Sequence, residues 1–143
     1  MQKSTGWASP ASPSVLIVDD DGPGDTERVH AGALAALGIP YAIAERHVSA
    51  EEMASYDAVI WASTLDRIEG QLDEDDRAAI AEYLGGGGKL WLSSNRAIEA
   101  LTVAGEEAFA ATWFGVESVD IDSYYRPVRF VTDDILGPGE VVL

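Results

Sequence analysis

The sequence predicts an α/β protein whose parallel β-sheet carries helices on both faces, and two observations lead to this class. Short apolar runs alternate along the chain with segments of helical periodicity. The runs Val15–Val18, Asp57–Ala62 and Lys89–Leu92 are apolar almost throughout, as is typical of strands buried on both faces of a sheet. Right-handed crossovers join the strands of such a series, so neighbouring strands are expected to be parallel, with Val15–Val18 at the centre.

The first helix is predicted from Thr26 to Leu37. Asp25 or Thr26 is a suitable N-cap, and Gly38 ends the helix. Its apolar residues at helical spacing are expected to form the buried face: Val29, Ala33, Leu34 and Leu37.

The middle of the chain predicts a second strand and two more helices. Tyr41–Ala44 is a short apolar run, and Ser49 with Glu52 forms a capping box that starts a short helix. Carboxylates within Leu72–Asp76 favour another helix start because they complement the helix dipole. That helix is expected to bury one stripe and to end in a glycine break: Ala79, Ile80, Tyr83 and Leu84, then Gly85–Gly88.

The last third predicts two helices, Arg96–Val103 and Glu106–Phe114, followed by two late strands. The strands Val119–Asp122 and Val128–Val131 alternate apolar and polar residues, which favours edge or antiparallel positions. Trp61 and Trp91 lie within the apolar runs and are expected in the core.

Domain boundaries follow from composition. Residues 1–13 are rich in Ser, Pro and Ala and predict a flexible N-terminal linker. Residues 14–143 suit one α/β domain with a single core. The apolar run at residues 141–143 suggests a piece of a longer chain.

Polar side chains follow three of the predicted strands. Because the carboxyl ends of parallel strands share one edge, and ligands of open α/β sheets bind there, we expect these side chains to converge on a binding site. The candidate residues for a ligand or ion are Asp19, Asp20, Asp21, Ser63, Thr64, Ser94 and Asn95. Carboxylate oxygens suit Ca²⁺ or Mg²⁺, with Asp19 and Asp20 as the metal candidates, but adjacent residues at a strand end point in different directions. The alternative is a solvated acidic loop beside the next helix.

The charge of the chain is strongly negative. There are 25 acidic and 9 basic residues, for a formal net charge of −16. Adaptation to high salt and an acidic binding face are the two explanations, and the even spread of acids along the chain favours the first. Nucleic acid is excluded as a partner because phosphate binding needs a basic face.

Several chemistries are absent from the sequence. There is no cysteine, which excludes disulfides, thiolate metal sites and a cysteine nucleophile. No apolar run reaches about 18 residues, so no membrane insertion is predicted. No cofactor is predicted.

Three motifs resemble the class I glutamine amidotransferase-like superfamily, and in particular a divergent branch found as modules of prokaryotic surface proteins. They are Val15–Gly22, Tyr56–Trp61 and Leu84–Ser93, and the resemblance covers about residues 14 to 116. It implies a flavodoxin-like three-layer sandwich. The acidic, lysine-poor composition resembles that of a halophilic archaeal protein.

The resemblance does not carry catalysis over. Active members place a cysteine on a sharp turn between glycines, and the matching position here is Ser93, which has no glycine neighbour. The family's late catalytic histidine is missing, since His30 and His47 both lie early in the chain. The resemblance therefore implies a degenerate, non-catalytic site that serves binding to protein or to other domains of the same chain, in an extracellular or cell-surface protein.

Two alternatives stay open. The first strand with Asp19–Asp21 also resembles a response-regulator receiver, but Ala62 or Ser63 stands where receivers carry their phosphoacceptor aspartate, so this would be a cytoplasmic pseudo-receiver. The other alternative is a serine-dependent hydrolase relative that uses Ser93 with Asp19 nearby.

Overall fold

The computed structural model describes residues 14–22, 24–63, 71–119, 127–130 and 140–142. Its centre is a parallel four-stranded sheet in the order β2-β1-β3-β4, formed by β1 (Val15–Asp19), β2 (Tyr41–Glu45), β3 (Ala58–Ser63) and β4 (Leu90–Ser94). Helices pack on both faces, so the predicted α/β, flavodoxin-like three-layer sandwich is confirmed. The predicted linker 1–13 and Thr64 lie outside the described residues.

Five helices surround this sheet in the described part of the chain: α1 (Thr26–Ala36), α2 (Ala50–Met53), α3 (Glu74–Gly85), α4 (Ala97–Val103) and α5 (Glu107–Phe114). Helix α1 packs on one face, which we call the α1 face, against Ile17, Ile60 and Ala62. The other four helices cover the opposite face, where the larger core cluster surrounds Trp61. The crossover through α1 and the crossovers through α2 and α3 thus lie on different faces, as in a doubly wound sheet.

The predicted starts of α2 and α3 are confirmed, whereas Asp25 precedes α1 without a side-chain capping bond. Ser49 Oγ accepts the Glu52 amide at 3.2 Å and caps α2, and Asp73 Oδ1 accepts the Asp76 amide at 3.1 Å and caps α3. The glycine break follows α3. Gly87 there has φ +89°, which suits glycine.

The predicted buried face of α1 was wrong except at Leu34. Leu34 is buried as predicted, but Val29 and Leu37 are 71% and 73% exposed, and Ala31 is buried instead. The residues Val29, Ala33 and Leu37 form one stripe, while Ala31 lies about 200° around the helix from Val29. Periodicity shows both stripes, and only docking on the sheet selects between them.

Trp91 is the second correction. Trp61 is fully buried as predicted, but Trp91 is 60% exposed. Strand β4 is an edge of this sheet, and Trp91 points to the α1 face, because it pairs with Ile60 of that face. Among the described helices only α1 covers that face, and it lies over β1, β2 and β3.

The late strands form a separate antiparallel sheet in the order β5-β6-β7: β5 (Val116–Val119), β6 (Pro127–Phe130) and β7 (Glu140–Val142). Their antiparallel pairing is confirmed, although β5 begins three residues before the predicted strand, directly after Gly115 ends α5 in the left-handed region. Residues 120–122 and 131 of the predicted strands lie outside the described ranges. No helix in the described part of the chain is long and apolar enough to cross a membrane.

Candidate functional site

The carboxyl edge of the sheet brings the predicted strand ends together. Asp19 pairs with Ala62, and Ala62 pairs with Ser93, so the three residues form one row across β1, β3 and β4. Residues paired in this way point to the same face, which here is the α1 face. In this row, Ala62 lies between Asp19 and Ser93.

Ser93 contacts a histidine that the sequence did not connect with it. His30 Nε2, from α1, lies 3.0 Å from Ser93 Oγ. The His30 ring also packs edge-on against Trp91, with ring centroids 5.2 Å apart. The Trp91 ring and the Ser93 hydroxyl, two residues apart on one face of β4, thus both contact His30. A hydroxyl hydrogen-bonded to an imidazole is the first element of a serine nucleophile.

The backbone around Ser93 is nevertheless that of an ordinary strand. Strand β4 continues through Ser94, which pairs with Ser63, and neither Ser93 nor Ser94 has a positive φ. Ser94 Oγ accepts the amides of Arg96 at 3.2 Å and of Ala97 at 3.0 Å, and it lies 3.3 Å from Gln71 Oε1. Ser94 therefore organises the turn into α4, and the sharp strained turn of a nucleophile elbow is missing at this position.

The three consecutive aspartates separate onto two sides of the sheet. Asp19 and Asp21 lie on the side of α1, where Glu27 from the first turn of α1 joins them, and one carboxylate oxygen from each lies within 4.8 Å of the others. Asp21 and Glu27 are buried, and Asp19 is half-buried. Asp19 Oδ1 accepts the Asp21 amide at 3.2 Å, and Asp21 Oδ2 accepts the Thr26 amide at 3.3 Å.

This arrangement raises the pKa of Asp19 to about 6. Burial is the main cause, and the nearby carboxylates of Asp21 and Glu27 add to it. The hydrogen bond from the Asp21 amide acts in the opposite direction and is outweighed.

Asp20 faces the opposite side of the sheet. Its Oδ2 accepts the indole N–H of Trp61 at 3.0 Å, and its Oδ1 lies 3.3 Å from Arg46 Nη1. The carboxylate is almost fully buried, and burial raises its pKa, while Trp61 and Arg46 partly offset the rise. Asp20 is therefore a link between the core tryptophan and an ion-pair cluster.

Arg46 is the centre of that cluster. It follows β2, and its Nη2 lies 2.6 Å from Asp73 Oδ2 and 3.0 Å from Asp76 Oδ2, both on α3 or its cap. His47, with φ +65°, donates its backbone N–H to Asp76 Oδ1 at 3.3 Å, and its Nδ1 lies 3.4 Å from the same oxygen. One guanidinium thus joins the ends of β1 and β2 to the start of α3.

The acids of this cluster titrate in different directions. Burial and the neighbouring Asp73 raise the pKa of Asp76. Burial also acts to raise the pKa of Asp73, but the Asp76 amide and Arg46 outweigh it, so that pKa is lowered. Asp76, one of the predicted helix-start carboxylates, is fully buried and paired with Arg46.

The remaining predicted site residues in the described part of the chain are Ser63 and Asn95. Ser63 is fully buried at the end of β3, and its Oγ has no hydrogen-bond partner among the described residues. Asn95 is exposed in the turn after β4.

Sequence reasoning missed four residues that build this edge: His30, Glu27, Arg46 and Asp76. The sequence could have indicated Glu27, since this residue lies in the first turn of the helix that follows the aspartates. The contacts of His30 and Arg46 depend on how α1 and α3 dock, and no local pattern shows them.

Comparison of the chain with protein-family models, with curated proteins and with solved structures finds no match.

Proposed function

We propose that this chain is a non-catalytic, amidotransferase-like module that serves binding and assembly within a larger, extracytoplasmic protein. The observation that carries the proposal is the exposed apolar side chains at both edges of the α1 face. Trp91 is 60% exposed on β4, and Ile43 and Tyr41 are 48% and 41% exposed on β2 at the opposite edge.

A groove that includes Trp91 lies beside α1. Its volume is about 340 Å³, and it is lined mainly by apolar side chains: Val15, Leu34, Ala58, Ile60, Leu90 and Trp91. Exposed apolar surface of this kind is typical of interaction sites.

We assign the surface to a neighbouring domain of the same polypeptide. A second copy of this chain is disfavoured because each copy carries a formal charge of −16, and pairing would bring these charges together. A less acidic neighbouring domain has no such repulsion and buries Trp91 just as well.

Ser93 supports the non-catalytic part of the proposal. It lies within regular strand pairing, and the backbone next to it is shaped by Ser94 as a helix-entry turn. In active members of the superfamily that this chain resembles, a sharp turn exposes the nucleophile. Here Ser93 has regular strand pairing at the matching position.

Two measurements test the proposed assembly function. An antibody against this chain should detect a native polypeptide much larger than 15.2 kDa in the envelope or medium of the source cells. A photo-crosslinking residue in place of Trp91 of that polypeptide should crosslink to a segment outside the present 143 residues. The same residue at exposed Glu82 on α3 is the control and should give no such product. A cytoplasmic band near 15 kDa, or a crosslink between two copies at Trp91, would overturn the assignment.

One contact favours a second candidate function, a serine hydrolase. The 3.0 Å approach of His30 Nε2 to Ser93 Oγ is the geometry in which an imidazole accepts a hydroxyl proton. A fluorophosphonate probe, followed by peptide mass spectrometry, separates the two functions. Modification of Ser93 that disappears in His30→Ala would favour the hydrolase, whereas an unmodified Ser93 in the folded chain is the result expected of the module.

A further inference from the structure

We propose that Asp19, Asp21 and Glu27 bind a hard divalent cation, Mg²⁺ or Ca²⁺, between the end of β1 and the first turn of α1. This site does not depend on the proposed assembly role. Its ligands come from the turn that connects β1 to α1.

The chain path explains why these three carboxylates meet. Asp19 and Asp21 are two residues apart, and Asp20 between them is held on the other side by Trp61. Gly22 has φ +64° and turns the chain, and a side chain at Gly24 would overlap the Asp21 carboxylate. The tight turn that results places Glu27 next to both aspartates.

The spacing suits one ion. Each residue offers one oxygen, and these oxygens lie within 4.8 Å of one another. Two oxygens on one cation are separated by at most about twice the metal–oxygen distance, which is about 2.1 Å for Mg²⁺ and 2.3–2.6 Å for Ca²⁺. The 4.8 Å limit suits a single Ca²⁺, with water completing the coordination, whereas Mg²⁺ requires the oxygens to lie within about 4.2 Å of one another.

Glu27 supplies the independent reason to expect a ligand. Its side chain is 10% exposed, and its Oε2 is shielded from solvent without a hydrogen-bond partner among the described residues. The cation near its other oxygen is Arg28, whose Nε lies 3.7 Å away on a side chain that is 74% exposed. A buried carboxylate left in this state is costly, and a bound cation supplies the missing partner.

The surroundings distinguish this cluster from the other acidic group found among the described residues. Asp73, Asp76 and His47 also meet, but Arg46 already lies 2.6 Å and 3.0 Å from the two carboxylates. Asp19 is half-buried, which leaves a route from solvent to the Asp19–Asp21–Glu27 group.

The experiment uses the full chain freed of metal with EDTA and then dialysed. Thermal unfolding is followed while MgCl₂ or CaCl₂ is added, against NaCl at matched ionic strength. If the site binds the ion, the melting temperature should rise to saturation, by about 5 °C or more when the free ion concentration is a hundred times the dissociation constant. Isothermal titration calorimetry of the same samples should give one ion per chain.

Two variants complete the test. Glu27→Gln should lower the affinity at least about tenfold, and in EDTA it should melt no lower than the wild type, since it removes a buried charge. Asp25→Asn removes the same charge from an exposed neighbour in the turn and should bind as the wild type does. The proposal is overturned if the wild type shows no rise beyond that in NaCl, or if Glu27→Gln and Asp25→Asn respond equally to the divalent ions.

Discussion

His30 Nε2 lies 3.0 Å from Ser93 Oγ, and this hydrogen bond joins α1 to the edge strand β4. Trp91 packs against the same imidazole from the preceding position on that face. The contact therefore links α1 to the exposed edge of the sheet, two strands away from β1.

Ser93 and Ser94 form a matched pair for mutation. Ser93→Ala loses the bond to His30 and should lower the free energy of unfolding by about 0.5–1 kcal/mol. Ser94→Ala should cost more, about 1–2 kcal/mol, because Ser94 Oγ accepts the amides of Arg96 and Ala97 at the start of α4. Urea denaturation measures both. A larger loss at Ser93 than at Ser94 would contradict the role of Ser94 as the cap of the turn into α4.

Removing the Arg46 guanidinium should lower the stability of the protein strongly. Arg46→Met leaves the buried carboxylates of Asp20 and Asp76 without their guanidinium, and we expect a loss of about 3 kcal/mol in the free energy of unfolding. Arg28→Met is the control, because Arg28 pairs with Asp25 and Glu27 from a largely exposed position, where such pairs contribute about 1 kcal/mol or less. Equal effects in chemical denaturation would show that the Arg46 cluster is not a structural link.

Alanine substitution should change the stability of the protein in opposite directions at Gly24, in the acidic turn, and at Gly32, inside α1. Gly24→Ala forces a Cβ against the buried Asp21 carboxylate and should cost about 1–3 kcal/mol. Gly32→Ala lies inside α1 with nothing within 4 Å of the new methyl group, and should stabilise the protein by about 0.5–1 kcal/mol. Melting curves of the two variants check both signs, and a stabilising Gly24→Ala would refute the close approach.

The buried acids predict how stability changes with pH. Folding raises the pKa of Asp20 and of Asp76 above 3.8, so the folded chain binds their protons more tightly than the unfolded chain. Their contribution to stability must therefore rise as the pH falls from 7 toward 4. Asp73, whose pKa is lowered, acts in the opposite direction only as the pH falls through and below 3.8.

The measurement is the urea midpoint from pH 7 to pH 4 in EDTA and molar KCl, which screens the general repulsion of the acidic chain. Asp20→Asn keeps an acceptor for the Trp61 indole but removes one titrating group, so its midpoint should rise less on acidification. An unchanged slope in this variant would remove Asp20 as a source of the effect.

Much of the fold could be predicted from the chain. Local signals were sufficient where they had a single outcome. The apolar runs became the parallel strands, Ser49 caps α2, and α3 begins within the predicted stretch Leu72–Asp76. The convergence of Asp19 and Ser93 at one edge followed from parallel pairing alone.

The failures share a physical cause. Helix α1 carries two apolar stripes, and the choice of Ala31 over Val29 depends on which side meets the sheet. The exposure of Trp91 depends on β4 being an edge strand, which α1 contacts through the His30 side chain but does not cover. The residues next to these positions in the sequence do not indicate either property.

The sequence by itself determined the α/β class, the parallel strand series and the acidic edge, because these depend on periodicity, caps and the direction of the chain. Only the tertiary structure decided which side chains meet: Glu27 with Asp19 and Asp21, His30 with Ser93, and Arg46 with three carboxylates. The partners of these groups are distant along the chain or lie across a turn. Their contacts are therefore set by how the helices dock on the sheet, and local sequence preferences do not encode that docking.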